Sequence, residues 1–276
     1  MKTGLKEFDA VCAPLGLGGL VCVAGRPCNG KTVLLLDLAL RIHRRYETNV
    51  VFATARELPE DLLARAPVAV RHLLVELPAR DLLREDIEFP VGRGPCVYLV
   101  DTQAVGPVRP HYIAHRLNAE HAARCDLLVS DGWSVTADRV TTVERAVAGV
   151  PYRLNLERAA LTLAATTLVE AKRFAKASGV ATVYGIRTAW HDDQEQGPRL
   201  EDLLRQRSAV SKHALRTVLL HRPELYLAHD EGREAVAGIV ELAAADERSS
   251  ERRRVRLQYD AARRRLRSGG RGRGKG

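Results

Sequence analysis

An α/β fold with a mostly parallel central sheet flanked by helices is what the sequence predicts, and three observations predict it. Short apolar runs alternate with helical patterns up to about residue 190, and strand–helix alternation at that spacing builds βαβ units. The first apolar run leads straight into a glycine-rich turn that opens an apolar helix. In the last third the helical patterns drop out and short β-like runs follow one another. That change places an antiparallel C-terminal extension on the sheet edge instead of a second domain.

The elements follow in chain order. Leu20–Ala24 reads as a buried strand ending at Gly25. Thr32–Arg45 follows as a helix, with Val33, Leu34, Leu36, Leu38 and Leu40 giving it a broad apolar face. Asn49–Ala53 is a strand, and Pro59–Arg65 is a short helix with proline at its start. Val97–Asp101 is a strand, residues near 108–124 suit a helix, and Asp126–Asp131 is again a strand. The Ala/Leu-rich stretch Arg153–Ser178 is a helix, and Val180–Ile186 makes another strand. Leu215–Leu220, Glu224–Ala228, Val236–Ala244 and Arg254–Tyr259 read as the short strands of the extension.

Length and composition narrow the class. A chain of 276 residues, 46% hydrophobic and 28% charged, has enough apolar material for a sizeable globular core. Five cysteines with no C-x-x-C pair argue against a disulfide framework or a structural zinc site. The first residues lack the apolar core of a signal peptide, and no run of eighteen apolar residues occurs, so a cytoplasmic protein with no membrane partner is expected. The net charge of +9 is unevenly placed: from Arg248 onward there are 12 Lys+Arg against 2 Asp+Glu, which leaves the rest of the chain at −1. The Arg/Gly-rich end is of low complexity. The expected division is therefore a folded domain over residues 1–262 and a basic, disordered tail over 263–276.

The glycine-rich turn carries the chemistry. Gly25-Arg26-Pro27-Cys28-Asn29-Gly30-Lys31-Thr32 fits G-x-x-x-x-G-K-[ST] and sits between a strand and a helix, the context that defines a phosphate-binding loop. The glycines let successive backbone N–H groups close around phosphate oxygens, and the helix N-terminus adds its positive dipole end. Lys31 would neutralise β/γ-phosphate oxygens and the Thr32 hydroxyl would ligate Mg²⁺, so ATP and Mg²⁺ are the expected cofactors. Cys28 is a tolerated variable position of the loop. A carboxylate at a second strand end is needed to hold the metal. Asp131, after Leu127-Leu-Val-Ser, and Asp101, after Val97-Tyr-Leu-Val, fit that pattern equally.

Further residues resemble the ATPase domain of the DnaB-type replicative DNA helicases. Thr3-Gly4, Asp9, Gly16-Leu-Gly-Gly-Leu20 and Ala24-Gly-Arg-Pro27 are similar to the start of that domain. Arg56-Glu57-Leu58-Pro59 resembles its S-L-E-M-S segment. Asp101-Thr102 followed by Arg116-Leu-Asn-Ala-Glu-His121 resembles its D-D-T-P and R-L-K-x-E-H stretches. The likeness runs over roughly residues 3–267, with no counterpart of the collar domain that precedes the ATPase in the replicative enzymes.

The resemblance implies a RecA-like core, a homo-hexameric ring, and an ATP-driven helicase or translocase acting on single-stranded DNA in replication alongside other replication proteins. It makes Asp131, in Ser130-Asp-Gly-Trp133, the metal-holding carboxylate and demotes Asp101. It implies that Glu57 polarises the attacking water and that Arg248 reaches the γ-phosphate on the adjacent subunit as an arginine finger. Arg187 stands where the family has its sensor glutamine. Channel loops are implied near residues 132–151 and 190–205, with Arg139, Arg145 and Arg199 as the DNA-phosphate contacts. The alternative from another class is a divergent RecA-fold nucleotide-binding module with an assembly or regulatory role and no unwinding.

Overall fold

A computed structural model describes residues 1–12, 14–54, 57–77, 94–102, 114–115, 117–118, 125–133, 168–188, 210, 212–226, 236–245, 254–260 and 265–268. Their elements are helices α1 (Lys6–Cys12), α2 (Lys31–Tyr46) and α3 (Pro59–Arg65) and ten strands. The strands are β1 (Leu20–Gly25), β2 (Asn49–Thr54), β3 (Leu74–Leu77), β4 (Val97–Asp101) and β5 (Cys125–Trp133). They continue with β6 (Ala181–Arg187), β7 (Arg216–His221), β8 (Ile239–Ala245), β9 (Arg254–Asp260) and β10 (Arg265–Ser268).

All ten strands form one sheet in the order β10-β9-β8-β7-β1-β6-β5-β2-β4-β3. The run from β7 to β3 is parallel throughout. From β7 outward to β10 every pairing is antiparallel. The central strands β1 and β2 are buried at every position, as a parallel strand covered on both faces must be. Alternation along β1 divides the core. Val21 and Val23 pack with Phe8 of α1 and with Leu34, Leu35, Leu38 and Ile42 of α2. Leu20, Cys22 and Ala24 point the other way, to Leu168 and Ala171 in the helical residues 168–178. The result is a helix–sheet–helix sandwich.

Several expectations shift. The stretch Glu224–Ala228 does not begin as a strand: Pro223–Leu225 is a 3₁₀ turn, since Pro223 cannot donate to a ladder and its fixed φ suits the first turn of a helix. Residues 236–238 are a turn before β8, where Gly238 takes φ 68°. The tail expected from residue 263 contains strand β10, whose Leu266 is 1% exposed and belongs to the core, so the sheet runs past residue 262. The expected helix at 108–124 lies mostly outside the described residues; 114–115 and 117–118 within it are helical. Strand β3 and helix α1 carry no expectation from the sequence.

Polar anchors fix the ends of these elements. Thr3 donates from its backbone N and its Oγ1 to Asp9 Oδ1 at 2.8 and 2.9 Å, tying the chain start to α1. Cys125 N donates to Asn118 Oδ1 at 2.6 Å at the start of β5. Arg41 of α2 reaches the carbonyls of both Gly4 (3.4 Å) and Leu266 (3.0 Å). Ser268 Oγ donates to Glu7 Oε2 at 2.8 Å. The basic residues of the last strands are engaged within the fold, Arg256 with Glu241 at 2.9 Å and Arg267 with Asp260 at 2.8 Å.

Candidate nucleotide-binding site

The carboxyl ends of the parallel strands share one edge, where open α/β sheets bind ligands. Along that edge Gly25 of β1 lies in register with Leu220 of β7 on one side and Arg187 of β6 on the other. Thr54 of β2 lies between Asp131 of β5 and Asp101 of β4. One strand, β6, separates β1 from the strand of Asp131, whereas Asp101 lies two strands further out.

The loop from β1 to α2 is shaped by its backbone needs. A Cβ at Gly25 would lie 2.8 Å from the Leu220 carbonyl oxygen, so only glycine lets the loop leave the sheet this close to β7. Gly30 adopts φ 87°, the left-handed conformation, immediately before α2. Lys31 is 5% exposed and its Nζ donates to the carbonyls of Gly25 (2.7 Å) and Arg26 (2.6 Å). The ammonium therefore closes the loop into a ring with the first turn of α2 at its mouth.

Arg26 and Asn29 face the protein. Arg26 is 1% exposed, with its guanidinium 5.1 Å from the centre of the Tyr226 ring. Tyr226 OH donates to Asn29 Oδ1 at 3.0 Å, and the ring stacks on His221 at 5.3 Å. Burial raises the Tyr226 phenol above its ordinary range, so it remains protonated at neutral pH.

Glu57 is positioned by the end of β2. Thr54 Oγ1 donates to the Glu57 carbonyl at 2.8 Å and accepts from Glu57 N at 3.2 Å. Thr102, beside Asp101, locks the Thr54 carbonyl with its own N (2.8 Å) and Oγ1 (2.9 Å). The Glu57 carboxylate accepts from Arg65 of α3 at 2.7 Å. Asp131 is 1% exposed, and Gly185 makes room for it: a Cβ there would lie 3.1 Å from Asp131 Oδ1 and 2.8 Å from Leu35 of α2. The carboxylate is thus directed beneath the loop helix.

A cavity of about 310 Å³ joins these groups, lined by Cys28 through Val33, Glu57 and Arg65 on one side and Arg222, Val240, Tyr259 and Leu266 on the other. Its size falls within the range of about 300–1,000 Å³ usual for small-molecule sites. The Arg222 guanidinium lies 5.0 Å over the Tyr259 ring and is also ion-paired with Glu224. The donor set fits a magnesium nucleotide: loop amides and Lys31 for phosphate, the Thr32 hydroxyl and Asp131 carboxylate for the metal, and an aromatic–cationic wall beyond. Among the described residues there is no cluster of His, Cys, Asp and Glu that would hold a metal unaided.

The structure thus groups Gly25–Thr32 and Glu57 around one cavity, with Asp131 at the neighbouring strand end. Arg187 ends β6 opposite Gly25, with only its backbone described. Arg248, Arg139, Arg145 and Arg199 lie outside the described residues. Arg65, Arg222, Tyr226 and Tyr259 escape sequence reasoning because each reaches the site from a distant element with no motif around it.

Strand order, loop and acidic strand end together define a RecA-like P-loop fold. A solved structure of a helicase ATPase domain matches it with a TM-score of 0.67 over 97% of this chain and 90% of that one, at 15% identity. The replicative helicase in "The Structure Of A DnaB-Like Replicative Helicase And Its Interactions With Primase" matches with a TM-score of 0.64 over 97% of this chain, again at 15% identity. There the match spans 61% of the solved chain. At such identities the likeness is one of fold. No protein-family model matches the sequence, and no curated protein does. Among the described residues no helix is long and apolar enough to cross a membrane.

Proposed function

We propose that the chain binds ATP with Mg²⁺ and hydrolyses it, as the motor domain of a helicase or translocase working on single-stranded DNA. The observation that carries this reading is that Glu57 lines the same cavity as Gly30, Lys31 and Thr32. Hydrolysis requires a carboxylate beside the phosphate cradle to orient the attacking water. Lys31 leaves the loop carbonyls for phosphate oxygens, and the loop amides replace the phosphates' lost solvation. Thr32 and Asp131 hold Mg²⁺, whose chemistry is to offset charge on the β- and γ-oxygens. The Arg222–Tyr259 wall receives the base by stacking.

The remaining roles rest on the sequence resemblance. Arg248 is the arginine finger acting on a neighbouring copy in a hexameric ring, Arg187 senses the γ-phosphate, and Arg139, Arg145 and Arg199 track the DNA backbone. Chromosome, phage or plasmid replication in the cytoplasm, with other replication proteins as partners, follows from the same likeness. Mg²⁺-dependent ATP hydrolysis that rises on adding single-stranded DNA tests the reading. Arg248→Ala should bind ATP without turning it over, and mixing with Lys31→Ala subunits should restore activity.

One observation favours a second reading. The Glu57 carboxylate is engaged by Arg65, which suits a module that binds nucleotide to assemble or regulate. ATP binding with no hydrolysis, with or without DNA, would support that reading.

A further inference from the structure

The nucleotide cavity holds a cation that the phosphate loop does not explain. Arg65, the last residue of α3, lines it together with Gly30, Lys31, Thr32 and Glu57. Its side chain is 55% exposed, and its guanidinium donates to Glu57 Oε2 at 2.7 Å. Glu57 is thus held twice: by its backbone to Thr54 and by its carboxylate to Arg65. The other two cations of the cavity have different engagements, Lys31 with the loop carbonyls and Arg222 with Glu224 and the Tyr259 ring.

A carboxylate oxygen that accepts from a guanidinium is withdrawn from a water molecule. An exposed ion pair of this kind contributes little to folding, so exchanging its partner is inexpensive. A terminal phosphoryl group offers three oxygens and more charge than a carboxylate, and arginine binds it in two-pronged fashion. We propose that Arg65 reads the γ-phosphate of ATP: the phosphoryl oxygens take the guanidinium from Glu57, and the released carboxylate turns to the attacking water. ADP lacks that acceptor, so the Arg65–Glu57 pair stays closed after hydrolysis. One arginine couples arrival of the correct nucleotide to activation of the base, and does so within a single subunit. This inference rests on the ATPase reading above and adds a residue to it.

Calorimetric titration with Mg-ADP and with a non-hydrolysable Mg-ATP analogue tests it, alongside ATP turnover, on the wild type and on Arg65→Ala, Arg65→Lys and Glu57→Gln. Arg65→Ala should weaken the ATP analogue about tenfold or more, leave ADP within about twofold, and lower kcat by at least about tenfold. Arg65→Lys should recover part of the discrimination, and Glu57→Gln should keep binding while losing turnover. Thermal unfolding of Arg65→Ala close to the wild type would show that the fold persists. Equal weakening of both nucleotides, or no change in either, overturns the proposal. So does higher turnover with unchanged discrimination, which would make Arg65 a restraint on Glu57 only. A wild type that binds neither nucleotide sinks the ATPase reading itself. A wild type that binds without turnover leaves the ATP-against-ADP comparison to decide the role of Arg65.

Discussion

Tyr226 donates its hydroxyl to Asn29 Oδ1 at 3.0 Å, joining the chain beyond β7 to the phosphate loop across 197 residues of sequence. The same phenol lies under the Arg26 guanidinium, so both inward-facing side chains of the loop rest on one ring. Loss of one neutral hydrogen bond costs about 1 kcal/mol. Tyr226→Phe should therefore weaken ATP binding by about three- to tenfold, and Tyr226→Ala, which also removes the ring under Arg26, by about another tenfold. The phenol is held above its ordinary range by burial. It stays protonated below pH 9 or so, and the difference between wild type and Tyr226→Phe should be flat from about pH 6 to 9. Titration at several pH values would check both statements.

The Lys31 ammonium donates to two carbonyls of its own loop, so its removal should spare the fold. Lys31→Ala should lose about two orders of magnitude or more in ATP affinity with little change in melting temperature. Calorimetry and a thermal melt together separate the two.

Cys28 is exposed in the loop, whereas Cys12, Cys22, Cys96 and Cys125 are buried. Burial pushes the thiols of Cys12, Cys22 and Cys125 up to about 12 and raises that of Cys96, which leaves almost no thiolate to react at neutral pH. Iodoacetamide should modify the native protein first at Cys28, and Mg-ATP should slow that reaction. Peptide mass mapping before and after denaturation reads the outcome.

Gly185 gives up its side chain to make room for Asp131 and Leu35. Gly185→Ala should destabilise by about 1–3 kcal/mol through overpacking and should shift the Mg²⁺ dependence of ATP binding. Urea unfolding and a Mg²⁺ titration test the two effects separately.

Leu266 is buried in the core from the short strand β10. Leu266→Ala should cost about 2–4 kcal/mol in urea unfolding, where a disordered tail would give no change.

Much of this architecture is legible from pattern. The runs at Leu20, Asn49 and Val97 are continuous, buried and rich in valine, and α2 carries an unmistakable apolar face. Proline at the start of α3 marks its boundary. Strand β3 has only four residues with Glu76 exposed, too few to outweigh its surroundings. Strand β10 places a single apolar side chain between arginines, so composition hides it. Local motif suffices for Lys31 and Thr32, whereas Asp101 and Asp131 separate only once strand order is known. Tyr226 and Arg65 act through contacts made by folding, and sequence spacing holds no trace of them.

Arg41 bonds to the carbonyl of Gly4 and to that of Leu266 in β10, while Ser268 reaches Glu7. Segments some 260 residues apart in sequence are thus neighbours in space, and a nearly closed circle of this kind tolerates circular permutation. It also orders synthesis. The loop helix and parallel strands are made early, but the wall that Tyr259 and Leu266 give the nucleotide cavity arrives only with β9 and β10. Contacts between such distant segments slow folding, so a nascent chain carries its phosphate loop long before it can close the cavity around a nucleotide.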